Sequence, residues 1–229
     1  MMEISPPELG DRALTMIPEA VHRQDGEPPA PDATTALDGR LRLGGPVSAL
    51  VSKAYVANDV ELRTFVEREA ARYRYHLVHL AITATLEPGQ TRIERVLVQL
   101  RLSAPAADAP IAWSMTPIRV DNAAQLSTTW RIGPQLKLFD ASVERTESRP
   151  ATGRYLEAQN ELRSDPAWEV HRTRGREITG VHRLALVVRA PVGAAARVDG
   201  AVHATIAHGR LPWRESADLP GLLELSAEI

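Results

Sequence analysis

Val78-His-Leu-Ala-Ile-Thr-Ala-Thr-Leu86, Glu87-Pro-Gly-Gln90 and Val96-Leu-Val-Gln-Leu-Arg-Leu102 form the stretch whose reading decides the fold. Val78, Leu80, Ile82, Ala84 and Leu86 fall on one face, and His79, Ala81, Thr83 and Thr85 on the other. After the turn, Val96, Val98, Leu100 and Leu102 alternate with polar Gln99 and Arg101, continuing the pattern of Arg95. Period-two alternation is the signature of a half-buried strand, and Pro88-Gly89 supplies turn chemistry. The stretch therefore predicts a β-hairpin with one dry and one wet face. Burying an aliphatic side chain is worth roughly 1.5–3 kcal/mol, so a one-residue slip that wets the whole dry face is strongly disfavoured.

A second stretch, Leu184–Ile206, repeats the design. Leu184, Leu186, Val188 and Ala190 face inward, while Arg183 and Arg189 face outward. Pro191–Ala196 turns the chain, Val198, Val202, Ala204 and Ile206 return, and Gly200 marks a bulge. Leu80-Ala81-Ile82 matches Leu184-Ala185-Leu186, which raises an internal duplication at a spacing of about a hundred residues.

Working outward, the chain reads as mainly β: an antiparallel β-sandwich or partly closed barrel of about eight to ten strands with one or two short helices. One helix is expected after Asn58, with Glu61 in capping-box position, an apolar stripe of Leu62, Phe65, Val66 and Ala70, and an Arg63–Glu67 pair. A second is expected over Arg154–Arg163. Shorter strands are expected at Ile111–Val120, Leu126–Ile132 and Gln135–Val143, with Trp113 and Trp130 as core anchors. Residues 1–46, centred on the Pro-rich run Asp25–Asp32, read as a flexible N-terminal arm holding a short helix at Ala13–His22. Residues 47–208 form the sandwich, divisible into halves 47–145 and 146–208, and 209–229 form a C-terminal tail.

Composition sets the outer limits. Apolar residues make up 44% of the 229 but aromatics only 4%, so the core is expected to be aliphatic. There is no cysteine, which excludes disulfides, thiolate metal sites and cysteine nucleophiles. A net charge of −2 gives no global basic field for nucleic acid or anionic lipid. Lys53 and Lys137 are the only lysines, so arginine content reflects a GC-rich, bacterial-like coding bias before it reflects function. With no secretory pattern and no apolar run of about twenty residues, a cytoplasmic protein is expected.

Motifs of chemistry are missing. The sequence holds no Gly-x-Ser-x-Gly elbow, no Gly-rich phosphate loop, no zincin pair and no calcium loop, so neither cofactor nor metal is expected. His76 and His79 are three apart, and His203 and His208 five apart, spacings that put the rings on opposite faces of a strand. His79 and His203 sit on the wet faces of the two hairpins and would be neighbours if those strands paired. Acids occur in two groups, Asp140, Glu144 and Glu147, and Glu157, Glu161 and Asp165; the Glu157–Glu161 spacing suits a solvated helix face better than a catalytic pair. Arg172, Arg174 and Arg176 form the sharpest charge cluster, with no interleaved aromatics for base stacking. In the tail, Trp213, Leu219, Leu222 and Leu223 form an apolar patch that either folds back or binds another chain.

The leading functional expectation is a non-enzymatic accessory protein that docks on a protein partner, or on copies of itself, through loops and termini. A β-barrel pocket for an apolar small molecule, with weak chemistry at His79 or His203, is the second. A membrane-active assembly of the amphipathic hairpins is the third.

Overall fold

A computed structural model describes residues 1–19, 37–105, 108–121, 129–140, 153–208 and 211–225. In chain order the elements are β1 (Met2–Ile4), β2 (Asp11–Ala13), β3 (Ile17–Pro18), β4 (Leu41–Leu50), α1 (Val60–Glu69), β5 (Tyr73–Ala84), β6 (Ile93–Ser103), β7 (Ile111–Thr116) and β8 (Arg119–Asp121). They continue with β9 (Trp130–Ile132), β10 (Leu138–Asp140), β11 (Arg154–Gln159), β12 (Ala167–His171), β13 (Gly180–Pro191), β14 (Ala196–His208) and β15 (Leu211–Leu225). The strands pair antiparallel in three sheets: seven-stranded, in the order β3-β15-β14-β6-β12-β11-β8; five-stranded, β2-β4-β5-β13-β7; and three-stranded, β1-β9-β10. The fold is a mainly β antiparallel sandwich whose sheets do not close into a barrel.

The alternation places the strands and their dry faces as expected, but the hairpins do not form. β5 pairs with β4 and β13, whereas β6 pairs with β12 and β14. The 85–92 connection therefore carries the chain from one sheet to the other, as a β-arch, and 192–195 does the same between β13 and β14. A hairpin and an arch bury the same alternate residues; they differ in whether the two dry faces lie side by side or face each other. Here they face each other, and Val78, Leu80, Ile82, Val96, Val98 and Leu100 join Leu184, Leu186, Val198 and Val202 in one cluster. Leu80 is the Cα partner of Leu184 and Val98 that of Val202, two pairs with the same sequence separation, so one pairing register relates the two arches in both sheets.

The five-stranded sheet is covered on both faces. On its outer side Tyr75, Leu77, Ala185 and Val187 pack beneath Leu62, Phe65 and Val66 of α1 and Ile4, Trp130 and Ile132 of the small sheet. The helix starts one residue later than expected: Asp59 is its N-cap and accepts a hydrogen bond from the Leu62 amide at 3.1 Å. Lys53, not Arg63, is the cation beside Glu67.

Four further expectations change. Residues 1–19 and 37–46, read as part of a flexible arm, contribute β1, β2, β3 and the start of β4 to all three sheets, and Ile4, Leu14 and Met16 are buried. The part of the Ala13–His22 helix that is described is extended around Ile17–Pro18, and the Asp25–Asp32 run lies outside the described residues. The stretch expected as a second helix is mostly β11, because Leu156 and Ala158 alternate inward while Glu157 and Gln159 face out. The tail is β15, an integral strand paired along β14. Of the middle strands, Ile111–Val120 is present but divided into β7 and β8, Leu126–Ile132 is described only over its end as β9, and Gln135–Val143 opens with a 3-10 turn at Pro134–Leu136 before β10; 122–128 and 141–152 lie outside the described residues.

Arg40 closes one edge of the sandwich. It is 4% exposed, and its guanidinium donates to the carbonyls of Thr85 at 3.4 Å and Thr91 at 2.7 Å, the two ends of the first arch. Glu215 of β15, 1% exposed, acts electrostatically on Arg40 and accepts from Trp213 Nε1 at 3.2 Å. Removing one partner of a buried pair strands the other, at a typical cost of about 3–5 kcal/mol. Urea unfolding of Arg40→Ala is expected to show a loss of that size, against less than about 0.5 kcal/mol for the exposed Arg101→Ala; equal effects would remove Arg40 from this role.

Candidate functional site

The two histidines singled out in the sequence lie on opposite sides of the molecule. His79 belongs to the outer face of the five-stranded sheet, which is not wet, because the small sheet covers it: the imidazole is buried and stacks on Trp130 with ring centroids 5.4 Å apart. His203 is on the outer face of the seven-stranded sheet, half-exposed. They cannot share a ligand. Among the described residues no group of three His, Asp or Glu is placed to hold a metal ion.

His203 does meet a carboxylate, one far from it in the chain. Its Nδ1 lies 2.7 Å from Glu19 Oε1, and Ser216 is its Cα partner on β15. Glutamate, imidazole and hydroxyl in line invite comparison with a hydrolytic triad. Two requirements are unmet. Among the described residues no hydrogen bond joins the Ser216 hydroxyl to the ring, and the site lies mid-ladder, where backbone N–H groups are engaged across strands and do not form an oxyanion cradle. What the contact does is strap β3 onto β15, together with the Glu19 amide bonded to the Arg214 carbonyl at 3.0 Å.

The arginine cluster disperses. Arg172 pairs with Glu94 at 2.8 Å and faces Glu177 at 3.7 Å; the Arg176 guanidinium lies 3.8 Å from the centre of the Tyr155 ring; Arg174 is exposed. A Thr173–Arg176 bridge closes the turn that carries Arg174. Behind it, the Tyr155 hydroxyl sits 2.6 Å from His182 Nε2, wholly inside the protein. Leu219 is buried in the main core and Trp213, Leu222 and Leu223 pack against it, so the apolar tail folds onto its own sandwich. The acids are likewise engaged or remote: Glu157 pairs with Arg154 at 2.8 Å and Glu161 with Lys137 at 3.7 Å, and Glu144 and Glu147 lie outside the described residues.

Among the described residues, no helix or sheet covers the outer face of the seven-stranded sheet. In-register rows cross it: Arg214, Thr205, Arg95 and His171 in one, and Asp218, Ala201, Gln99, Ala167 and Gln159 in another. Two adjoining hollows share Gln99. The larger, about 660 Å³, is bordered by Asp165, Asp199 and Asp218 with Arg101; the smaller, about 250 Å³, by Glu19, Arg95, His203 and Arg214. Glu169, nearly buried on this face, is held by Arg95, by Gln159 Nε2 at 2.6 Å and by His171 at 3.4 Å. The face is thus acidic at one end and mixed, with two arginines, at the other. It was missed in the sequence because its rows draw on strands far apart in the chain.

Comparison with known protein families and with curated proteins gives no significant match to the chain.

Burial, not catalysis, explains the perturbed imidazoles. His76, His79 and His182 are each pushed down to about 4 by desolvation, with Arg74 adding to the effect at His76. As pH falls below about 6.5 the unfolded chain binds protons that the folded chain refuses, so stability drops until about pH 4 and these groups then contribute no further slope. The urea midpoint is expected to fall between pH 7 and pH 5, and to fall less in His79→Gln; an identical fall would mean His79 titrates normally in the fold.

Proposed function

We propose that this chain is a non-enzymatic accessory module that docks on a protein partner through the outer face of its seven-stranded sheet. One observation carries the reading: the chain covers the outer face of one sheet with its own helix and small sheet, and among the described residues places no such layer on the other. That bare face is polar, with half-exposed Ala201, His203 and Thr205 between the charged borders of its two hollows, which fits a recognition surface of shape and charge more than an apolar pocket. Its charge distribution calls for a partner segment that is basic over the Asp165, Asp199 and Asp218 end and acidic over Arg95 and Arg214.

The alternatives have less behind them. The dry faces that would line an apolar barrel are packed against each other, and the hairpins that would insert in a membrane are arches with their two strands in different sheets. No helix among the described residues is long and apolar enough to cross a membrane.

Tagged full-length protein is expected to capture a defined partner from its own cells, and Ala201→Arg, which fills the floor of the larger hollow, to lose it while melting at the same temperature. Undiminished capture by that variant would move the interface elsewhere.

A further inference from the structure

We propose that Arg189, clamped between Tyr73 and Trp113 at the outer end of the five-stranded sheet, is an anion site that takes a phosphate monoester together with Arg72. The inference is independent of the docking face. Arg189 lies 4.5 Å from the Tyr73 ring centre and 4.7 Å from that of Trp113. Arg72 lies 5.5 Å from the same Tyr73 ring, and Lys137 4.9 Å from Trp113. Three cations and two rings, drawn from four separate parts of the chain, thus gather at one place, where the basic and aromatic run Arg72-Tyr73-Arg74-Tyr75 meets β7, β13 and the turn before β10.

The charge balance singles out the two arginines. Lys137 is engaged by Glu161 and by the Trp113 carbonyl at 2.6 Å, Glu69 by Arg68 at 3.3 Å, and Arg74 by the Ala70 carbonyl at the end of α1. Among the described residues neither Arg72 nor Arg189 faces a carboxylate in an ion pair. Two uncompensated guanidinium groups held against one ring repel each other, and a dianion relieves both. A guanidinium already stacked between aromatic faces has also lost its rotameric freedom, so its planar donor fork is set before a ligand arrives. A carboxylate satisfies one such fork; a phosphate monoester, with close to two charges and three acceptor oxygens, answers two.

A buried donor adjoins the site. Tyr75, the cross-strand neighbour of Arg189, is 2% exposed, and its hydroxyl lies beside the Arg189 side chain without a hydrogen bond of good geometry. Burial, with Glu69 beside it, pushes this phenol up to about 12, Arg189 opposing, so it keeps its proton at neutral pH. Trp113 is fixed by its Nε1–H donating to the Gln135 carbonyl at 2.6 Å, within a turn where Gln135 and Leu136 hold left-handed φ values of 56° and 58°. Strain of this kind persists where the surroundings fix it, and here it holds the clamp's second wall.

The test is an NMR titration of the full chain with inorganic phosphate, following the Arg189 Nε–H and Trp113 Nε1–H signals, with chloride at equal ionic strength and acetate as comparison arms. A saturable shift of both signals is expected with phosphate, weaker by several-fold with acetate and absent with chloride. Arg189→Gln is expected to abolish binding and Arg189→Lys to weaken it about tenfold, because the charge stays but the fork is lost. Arg72→Gln, at an exposed position that does not hold the fold, is expected to weaken it, and Arg12→Gln on β2 to leave it unchanged. Shifts that do not saturate, or binding that survives both Arg189→Gln and Arg72→Gln, would overturn the proposal.

Discussion

The Arg40 guanidinium, buried at the open edge of the sandwich, fixes the path of the chain. It binds the carbonyls at both ends of the first arch and is opposed by Glu215 from β15 in the other sheet. An arch leaves backbone acceptors at the mouth of the core, where water is scarce and an unmet carbonyl is costly. One side chain with a planar array of donors answers two of them and brings its charge to a carboxylate that burial pushes toward its neutral form. The first arch, the start of β4 and the middle of β15 are therefore tied at one point.

From that point the two sheets differ in their surroundings. The five-stranded sheet is covered on both sides, and His76, His79, His182, Tyr73, Tyr75, Trp113 and Trp130 lie on or against it; among the described residues the seven-stranded sheet is covered on one. Polar groups caught between layers are absorbed locally: His79 by stacking on Trp130, His182 by the Tyr155 hydroxyl, Arg176 by the Tyr155 ring. Surface groups on the open side instead form cross-strand networks such as Arg95, Glu169 and Gln159.

Period-two alternation made the burial of Val78, Leu80, Val96, Val98, Leu184 and Val202 legible, and with it the fold class, because a strand advertises its dry face residue by residue. It could not disclose partners. Whether Ile82 and Val96 share a sheet depends on where the intervening loop sends the chain, and Pro88-Gly89 is compatible with a hairpin or an arch. The same gap explains the misreading of His79 as solvent-facing: the alternation identifies the second face of β5, but the layer over it comes from Trp130 and from the extreme N-terminal strand. Trp113 was expected in the core by its type and stands half-exposed, stacked against cations supplied by β13 and by the turn before β10. The Glu19–His203 contact spans most of the chain, and nothing local to either residue announces it.

Because each arch places its strands in different sheets, neither sheet can be completed by a contiguous half of the chain. β5 waits for β13 and β6 for β14, so the loops that folding must close are long, and assembly is expected to be slow relative to a meander of the same length. A nascent chain that ends between the two arches presents two unfinished strand edges, with their apolar faces turned toward each other. The strands on either side of the second arch supply both missing neighbours together, so the two sheets are completed as a pair.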